Sequence, residues 1–351
     1  MTVSTPDGDS AVARDLTRAL AASRMPGMRG FVVRSLDLAT PHRFAILSDQ
    51  HKGARDAADA FRQCEAAYRA ALVHYRDRSF TLVLLGDVEE LWEQGFSEVA
   101  RHYTELLELE ASFGPDRYVR VFGNHDDDWM DPVRVHADLV AWTPTPAVYE
   151  GLRFDVVDGG TPLGTVFLVH GHQGTLFSHR WRGFSRAVMR VWRRVQSVLG
   201  VPVPTPATDP CLRGDHDRQM YEWAAAQSKL ILVAGHTHRP VWSSRTHLQK
   251  LEAELEALRA GDDGRPELRE RARRLEATIA AMTAKSPPCH DSAKLHPAYF
   301  NTGCCIFDDG DITGMELEDG ELRLVKWPAG GTEPRVILEA EPLRTILARL
   351  P

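Results

Sequence analysis

TLVLLGDVEE, residues 81–90, joins a continuous apolar run to a glycine-aspartate pair, and four other stretches of the chain are built the same way. Residues 44–48 lead into Asp49-Gln50-His51, and residues 118–122 into Gly123-Asn124-His125-Asp126. Residues 165–169 lead into His170-Gly171-His172, and residues 230–234 into Gly235-His236-Thr237-His238. Short runs that are apolar throughout read as strands buried on both faces, as in parallel sheets. In open α/β sheets the ligand crevice lies beyond the carboxyl ends of such strands, where all five motifs fall. The motifs collect imidazoles and carboxylates, the ligand types that zinc, manganese, iron and cobalt accept. Asp87 suits a bridging role, because the two oxygens of a carboxylate can bind two ions and offset part of their repulsion. Asn124 adds a neutral oxygen.

Asp49-x-His51, Gly86-Asp87, Gly123-Asn124-His125-Asp126, His170 and Gly235-His236-x-His238, in this order across residues 42–304, resemble the calcineurin-like metallophosphoesterase superfamily. The resemblance implies an α/β fold, a four-layer α/β/β/α sandwich of two mixed sheets, here with inserted helices. It also implies two divalent metal ions, manganese foremost, with iron, zinc or cobalt as alternatives. One ion would be held by Asp49, His51, Asp87 and His238, the other by Asp87, Asn124, His170 and His236. A metal-bridging hydroxide would then hydrolyse a phosphate ester or pyrophosphate. His125 would stabilise the transition state or protonate the leaving oxygen, with Asp126 orienting its ring. His172 would touch substrate, contact a ligand or only pack. Glu89 and Glu90 would bond ligand histidines or stay solvated.

Residues 86–92 and Gly235-His236-Thr237-His238-Arg239-Pro240 are similar to the bacterial UDP-2,3-diacylglucosamine pyrophosphohydrolase-like branch, which cleaves a lipid-linked nucleotide pyrophosphate under a helical lid. This chain departs from that branch at His125, where arginine is usual, and at His172, where aspartate is usual. A phosphorylated small molecule, nucleotide-sugar or lipid is therefore the expected substrate. A nuclease or cyclic-nucleotide phosphodiesterase with the same site is the alternative, and a non-catalytic scaffold is disfavoured by the intact ligand set.

With 351 residues and 43% hydrophobic content, the chain can bury a full core. A net charge of −7 argues against general attraction to nucleic acid, so no such partner is expected. Five cysteines are few and odd in number, which suits a reducing compartment. The polar start lacks the pattern of a signal peptide, and no apolar run reaches membrane-spanning length. The expected location is cytoplasmic, with peripheral contact at the inner membrane face if an arginine-rich segment described next is interfacial.

Residues 1–30 read as a helical extension, with the helix over 10–23, and the metallophosphoesterase domain as 31–351. Residues 56–74 and 96–112 have helical periodicity. Residues 299–306, 312–318 and 322–327 read as antiparallel strands of a second sheet, with Cys304 and Cys305 in the first of them. Two inserts stand apart. Over about residues 178–210, Trp181, Phe184, Val188 and Trp192 line one helical face and Arg182, Arg186, Arg190 and Arg193 another. That pattern suits a packed surface helix, a contact with an anionic membrane through residues 180–199, or a lid over a lipid phosphate. Over about residues 245–285, two leucine-rich stripes flank Gly261 to Pro266, the pattern of a helical hairpin. It would pack on itself or make a homodimer.

Overall fold

The computed structural model describes residues 10–25, 30–145, 147–174, 210–246, 255–256, 258–259, 266–285 and 296–351. Two mixed sheets form its centre. The first has seven strands, in spatial order β1 (Phe31–Asp37), β5 (Gly151–Asp158), β6 (Thr161–Val169), β7 (Leu230–Ala234), β10 (Tyr299–Thr302), β8 (Pro240–Trp242) and β9 (Arg245–Thr246). The second has six, in the order β13 (Val336–Pro342), β12 (Glu321–Trp327), β11 (Ile312–Glu318), β2 (Arg43–Leu47), β3 (Thr81–Leu85) and β4 (Tyr118–Val121).

Side chains alternate across a strand, and here both faces are covered. Phe44, Ile46, Val83 and Leu85 enter the core shared with the first sheet, whereas Ala45, Leu47, Leu82 and Leu84 join the core beneath the helices α2 (Glu65–Asp77) and α3 (Phe96–Ala111). Phe44 meets Phe154 edge-on between the sheets, with ring centroids 4.7 Å apart. On the far side of the first sheet, Phe167 faces Trp223 of the helix Pro210–Ala225, and α1 (Ala11–Ser23) buries Val12, Leu16, Ala19 and Leu20 in the same core. The layers are therefore helix, sheet, sheet, helix. Ser10 caps α1 by accepting from the Ala13 amide.

β2, β3 and β4 pair in parallel, as do β6 and β7. Those five apolar runs are strands, divided between two sheets. The stretch 299–306 differs from expectation. Its strand ends at Thr302 and runs parallel to β7 in the first sheet. Gly303, at φ +79°, turns the chain away; a Cβ there would lie 2.0 Å from the Thr313 hydroxyl. Cys304 and Cys305 come after the strand and are both buried. β11 and β12 form the expected antiparallel hairpin, with Asp319 and Gly320 at positive φ, as a tight turn of this hand requires.

The helix expected over 56–74 splits into a short 3-10 turn, Ala60–Gln63, and α2. Of the hairpin insert, residues 245 and 246 belong to β9 rather than to a helix, and Pro266–Lys285 is helical. Arg259 reaches across to Glu276 at 2.7 Å. The tryptophan- and arginine-rich segment, with residues 180–199, lies outside the described residues. Among the described residues, no helix is long and apolar enough to cross a membrane.

Candidate metal centre

The carboxyl ends of β2, β3 and β4 from one sheet, and of β6 and β7 from the other, meet at one edge of the sandwich. The loops beyond β2 and β3 prolong their pairing: the Asp49 amide donates to the Gly86 carbonyl, His51 to Asp87, Lys52 to Val88, and Glu90 back to Lys52, all between 2.9 and 3.0 Å. The Leu91 amide ties the β4 loop in through the His125 carbonyl, and the Gly235 amide joins the β7 and β6 loops through the His170 carbonyl. Asp49 spans the sheets, since its carboxylate oxygens accept from the His236 amide at 3.1 and 3.0 Å. Ser48 donates to Asp49 and lies 2.7 Å from the Thr302 hydroxyl.

Five of the expected ligands, Asp49, His51, Asp87, His236 and His238, have positive φ of 55°, 48°, 52°, 69° and 56°. Left-handed backbone is rare outside glycine and gathers at functional sites. Two glycines allow close approach. A Cβ on Gly123 would lie 2.1 Å from Asp87 Oδ1, and one on Gly235 would lie 2.4 Å from Asp49 Oδ2.

These constraints bring Asp49, His51 and His238 into one group and Asp87, His170 and His236 into another, the ligand atoms of each lying within 4.8 Å of one another. His238 Nε2 is 3.2 Å from Asp49 Oδ1 and 3.3 Å from His51 Nε2. Asp87 Oδ2 stands between the groups, 3.0 Å from His170 Nε2 and 3.7 Å from His51 Nε2. His170 presents Nε2 because its Nδ1 donates to the Leu85 carbonyl at 2.9 Å. Asn124 Oδ1 and His236 Nε2 are buried with no hydrogen-bond partner. Orphaned buried donors and acceptors are costly, and a cation would satisfy both. The set of nitrogen and oxygen atoms fits divalent metal ions.

The electrostatics agree with a cation site. Burial would raise the Asp87 carboxyl, but His170 and then His125 outweigh it and hold it well below the usual range. Burial, with His216 and His170 nearby, keeps His236 well below the usual imidazole range, so its lone pair is available.

His125 does not join those two groups; its Nδ1 lies 2.7 Å from Glu90 Oε2, and its ring stacks on Trp92 with centroids 4.0 Å apart. Burial opposes a charge on this ring, yet Glu90 and Asp87 prevail and raise it to about 9. Glu90 also meets His51 Nδ1 at 3.1 Å. The expectation that Asp126 orients His125 is corrected. Its carboxylate accepts instead from the backbone amides of Gly123 at 2.6 Å, Val88 at 2.9 Å and Asp87 at 3.3 Å. Glu89 is corrected as well. It is neither solvated nor bonded to a ligand histidine, but fully buried against Arg120 and the Trp129 indole. His172 is buried beside the ligands, its ring 5.5 Å from that of His170.

A supporting set drawn from distant sequence escaped the motif reading. Asp217 accepts from the Thr237 and Tyr299 hydroxyls, Asn301 donates to the Gly235 carbonyl, and His216 Nε2 donates to the Gly171 carbonyl at 2.6 Å. Nothing near these residues in sequence marks them, since their role is to brace two loops from behind.

Vacuolar protein sorting 29 from Cryptosporidium parvum is a similar solved structure, at 11% sequence identity and a TM-score of 0.34, over 86% of this chain and 98% of that one. No curated protein matches the sequence. Residues 42–240 match the sequence profile of the calcineurin-like phosphoesterase family. That segment is more than half of the chain, and it runs from the start of β2 to just past His238, enclosing all seven expected ligands; the chain belongs to the calcineurin-like phosphoesterase family.

Proposed function

We propose that this chain is a hydrolase of phosphate ester or pyrophosphate bonds that works with two divalent ions, manganese foremost. The observation that carries the reading is the convergence of Asp49, His51 and His238 with Asp87, His170 and His236 about the Asp87 carboxylate. Ions bound there acidify water and neutralise charge on phosphoryl oxygens.

The chain's own groups supply the rest. Asp49, His51, Asp87 and His238 would hold one ion, and Asp87, Asn124, His170 and His236 the other. Glu90 accepts from His125 Nδ1 and favours the charged ring, which leaves a second proton on Nε2 for the leaving oxygen. Trp92 fixes the ring plane. His172 is buried next to His170, its ring 5.5 Å away, close enough to contact a ligand or a substrate held at that position. A soluble phosphorylated small molecule or a lipid-linked nucleotide is the substrate class, in a cytoplasmic enzyme. The lipid version, with contact to an anionic membrane, draws its support from the sequence of residues 180–199.

Hydrolysis by the manganese-loaded protein tests this, using p-nitrophenyl phosphate, bis-p-nitrophenyl phosphate, nucleotide-sugars and a lipid-linked nucleotide pyrophosphate. Turnover that Asp87→Ala abolishes supports the reading. Preference for the lipid compound selects the membrane version, and no turnover of any compound refutes the enzyme.

A further inference from the structure

Beneath the three ligand loops of the six-stranded sheet runs a file of buried ionisable side chains that the chemistry above does not use. Lys52 follows the ligand His51, Glu89 lies two residues beyond Asp87, and Asp126 lies two beyond Asn124. Each belongs to a different loop. Arg120 on β4 and Glu110 on α3 complete the file, and none of the five exceeds 1% exposure.

The contacts are sequential. Lys52 Nζ lies 2.7 Å from Glu110 Oε1, which also accepts from the Tyr68 hydroxyl at 2.8 Å, and 3.9 Å from Glu89 Oε1. Glu89 pairs with Arg120, and Arg120 Nη2 lies 3.7 Å from Asp126 Oδ2. Asp126 in turn gathers the amides of Asp87, Val88 and Gly123.

Such a file adds little net stability over apolar packing. Desolvating paired charges cancels much of their attraction, and apolar residues of equal volume commonly do as well or better. What charges add is directional placement. This file links the loop of Asp49 and His51, the loop of Asp87, and the loop of Asn124 and His125, and it does so from below, away from the ligand atoms.

We infer that Lys52 and Arg120 are positioning residues, and that the Glu110–Lys52–Glu89–Arg120–Asp126 file sets the spacing of the three loops so that two metal positions are competent together. This deepens the two-ion reading and rests on it. Lys52 acts first on the position held by Asp49, His51, Asp87 and His238, because it adjoins His51.

The test is manganese titration of chelator-stripped protein, with stoichiometry and affinities read by calorimetry and the metal-free melting temperature measured in parallel. Lys52→Met combined with Glu110→Gln removes one charge of each sign and leaves an acceptor for Tyr68. The expected result is an unchanged metal-free melting temperature with one of the two manganese affinities weakened about 10- to 100-fold. Wild-type affinities for both ions would overturn the inference. If the double variant melts early without metal, the titration is run at a temperature where its metal-free form is fully folded, and the same affinity criterion decides. Wild-type protein that binds a single ion refutes the two-ion reading instead, and the affinity of that one ion in the variants then judges the file.

Discussion

Glu89 and Glu90 are adjacent carboxylates with opposite fates. Glu90 faces the site and meets both His51 and His125, while Glu89 points beneath the loop into the Arg120 pair. The sequence marks both as able to bond the expected ligand histidines but does not tell which way each turns, since that depends on how the loop prolongs the pairing of β3. The seven expected ligands were legible as candidates because their chemistry is rare in apolar surroundings. Asp126 was not, because a carboxylate can serve a ring or a set of amides equally well, and only the turn geometry chooses. Replacing Glu90 by glutamine should lower kcat by about 100-fold or more while changing KM little, as steady-state kinetics on the best substrate of the panel will show. His74 offers a second check, away from the site. Burial, with Arg78 and Arg335 nearby, lowers it to about 4, and its ring packs edge-on against Trp327. The unfolded chain protonates this ring below about 6.5. Between those values the unfolded state binds the extra proton, so stability falls as pH drops from about 6.5 to about 4. Urea denaturation across that window should be less pH-dependent for His74→Phe than for the wild type.

At the scale of elements, the apolar runs announced strands because each is covered on both faces, by the opposite sheet and by helices. Their division between two sheets came from the resemblance rather than from the runs, which look alike in either sheet. β5 gave a weaker signal, since Arg153 and Asp155 interrupt its apolar positions where one face is only partly covered. The sequence pattern puts β10 in the wrong sheet because nothing local to Tyr299–Thr302 states that its neighbour is β7. The loops are more demanding than the strands. With a Cβ 2.1 Å from Asp87 Oδ1, Gly123→Ala must displace the Asp87 carboxylate or its own loop. The variant should fold, retain its circular dichroism spectrum, and lose metal binding at least tenfold by titration.

Across the whole molecule, the expected ligands are shared between the layers: Asp49, His51, Asp87 and Asn124 follow strands of the six-stranded sheet, and His170, His236 and His238 follow strands of the seven-stranded one. Ions held by these residues would therefore link the two sheets directly. Manganese at 100 times its dissociation constant should add about 2.7 kcal/mol per site to the free energy of unfolding. Thermal melts with and without chelator will show this as a rise in melting temperature that Asp87→Ala abolishes. The N-terminal helix is also part of this assembly. Asp15 accepts from the Gly174 amide just beyond the His170 loop, and Thr17 accepts from the Trp223 indole. Sequence periodicity identified that helix, but its docking onto the first sheet depends on partners about 160 to 210 residues away in the chain.

The left-handed backbone at Asp49, His51, Asp87, His236 and His238 narrows the evolutionary alphabet of this centre. Asparagine, aspartate and histidine tolerate that conformation better than other side chains able to ligate metals. Saturation mutagenesis of these five positions, selected for altered metal preference, should therefore return exchanges within that trio and few cysteines or glutamates. Any shift of metal identity in the lineage would then run through the number and charge of oxygen and nitrogen donors, with thiolate chemistry closed to it by backbone shape.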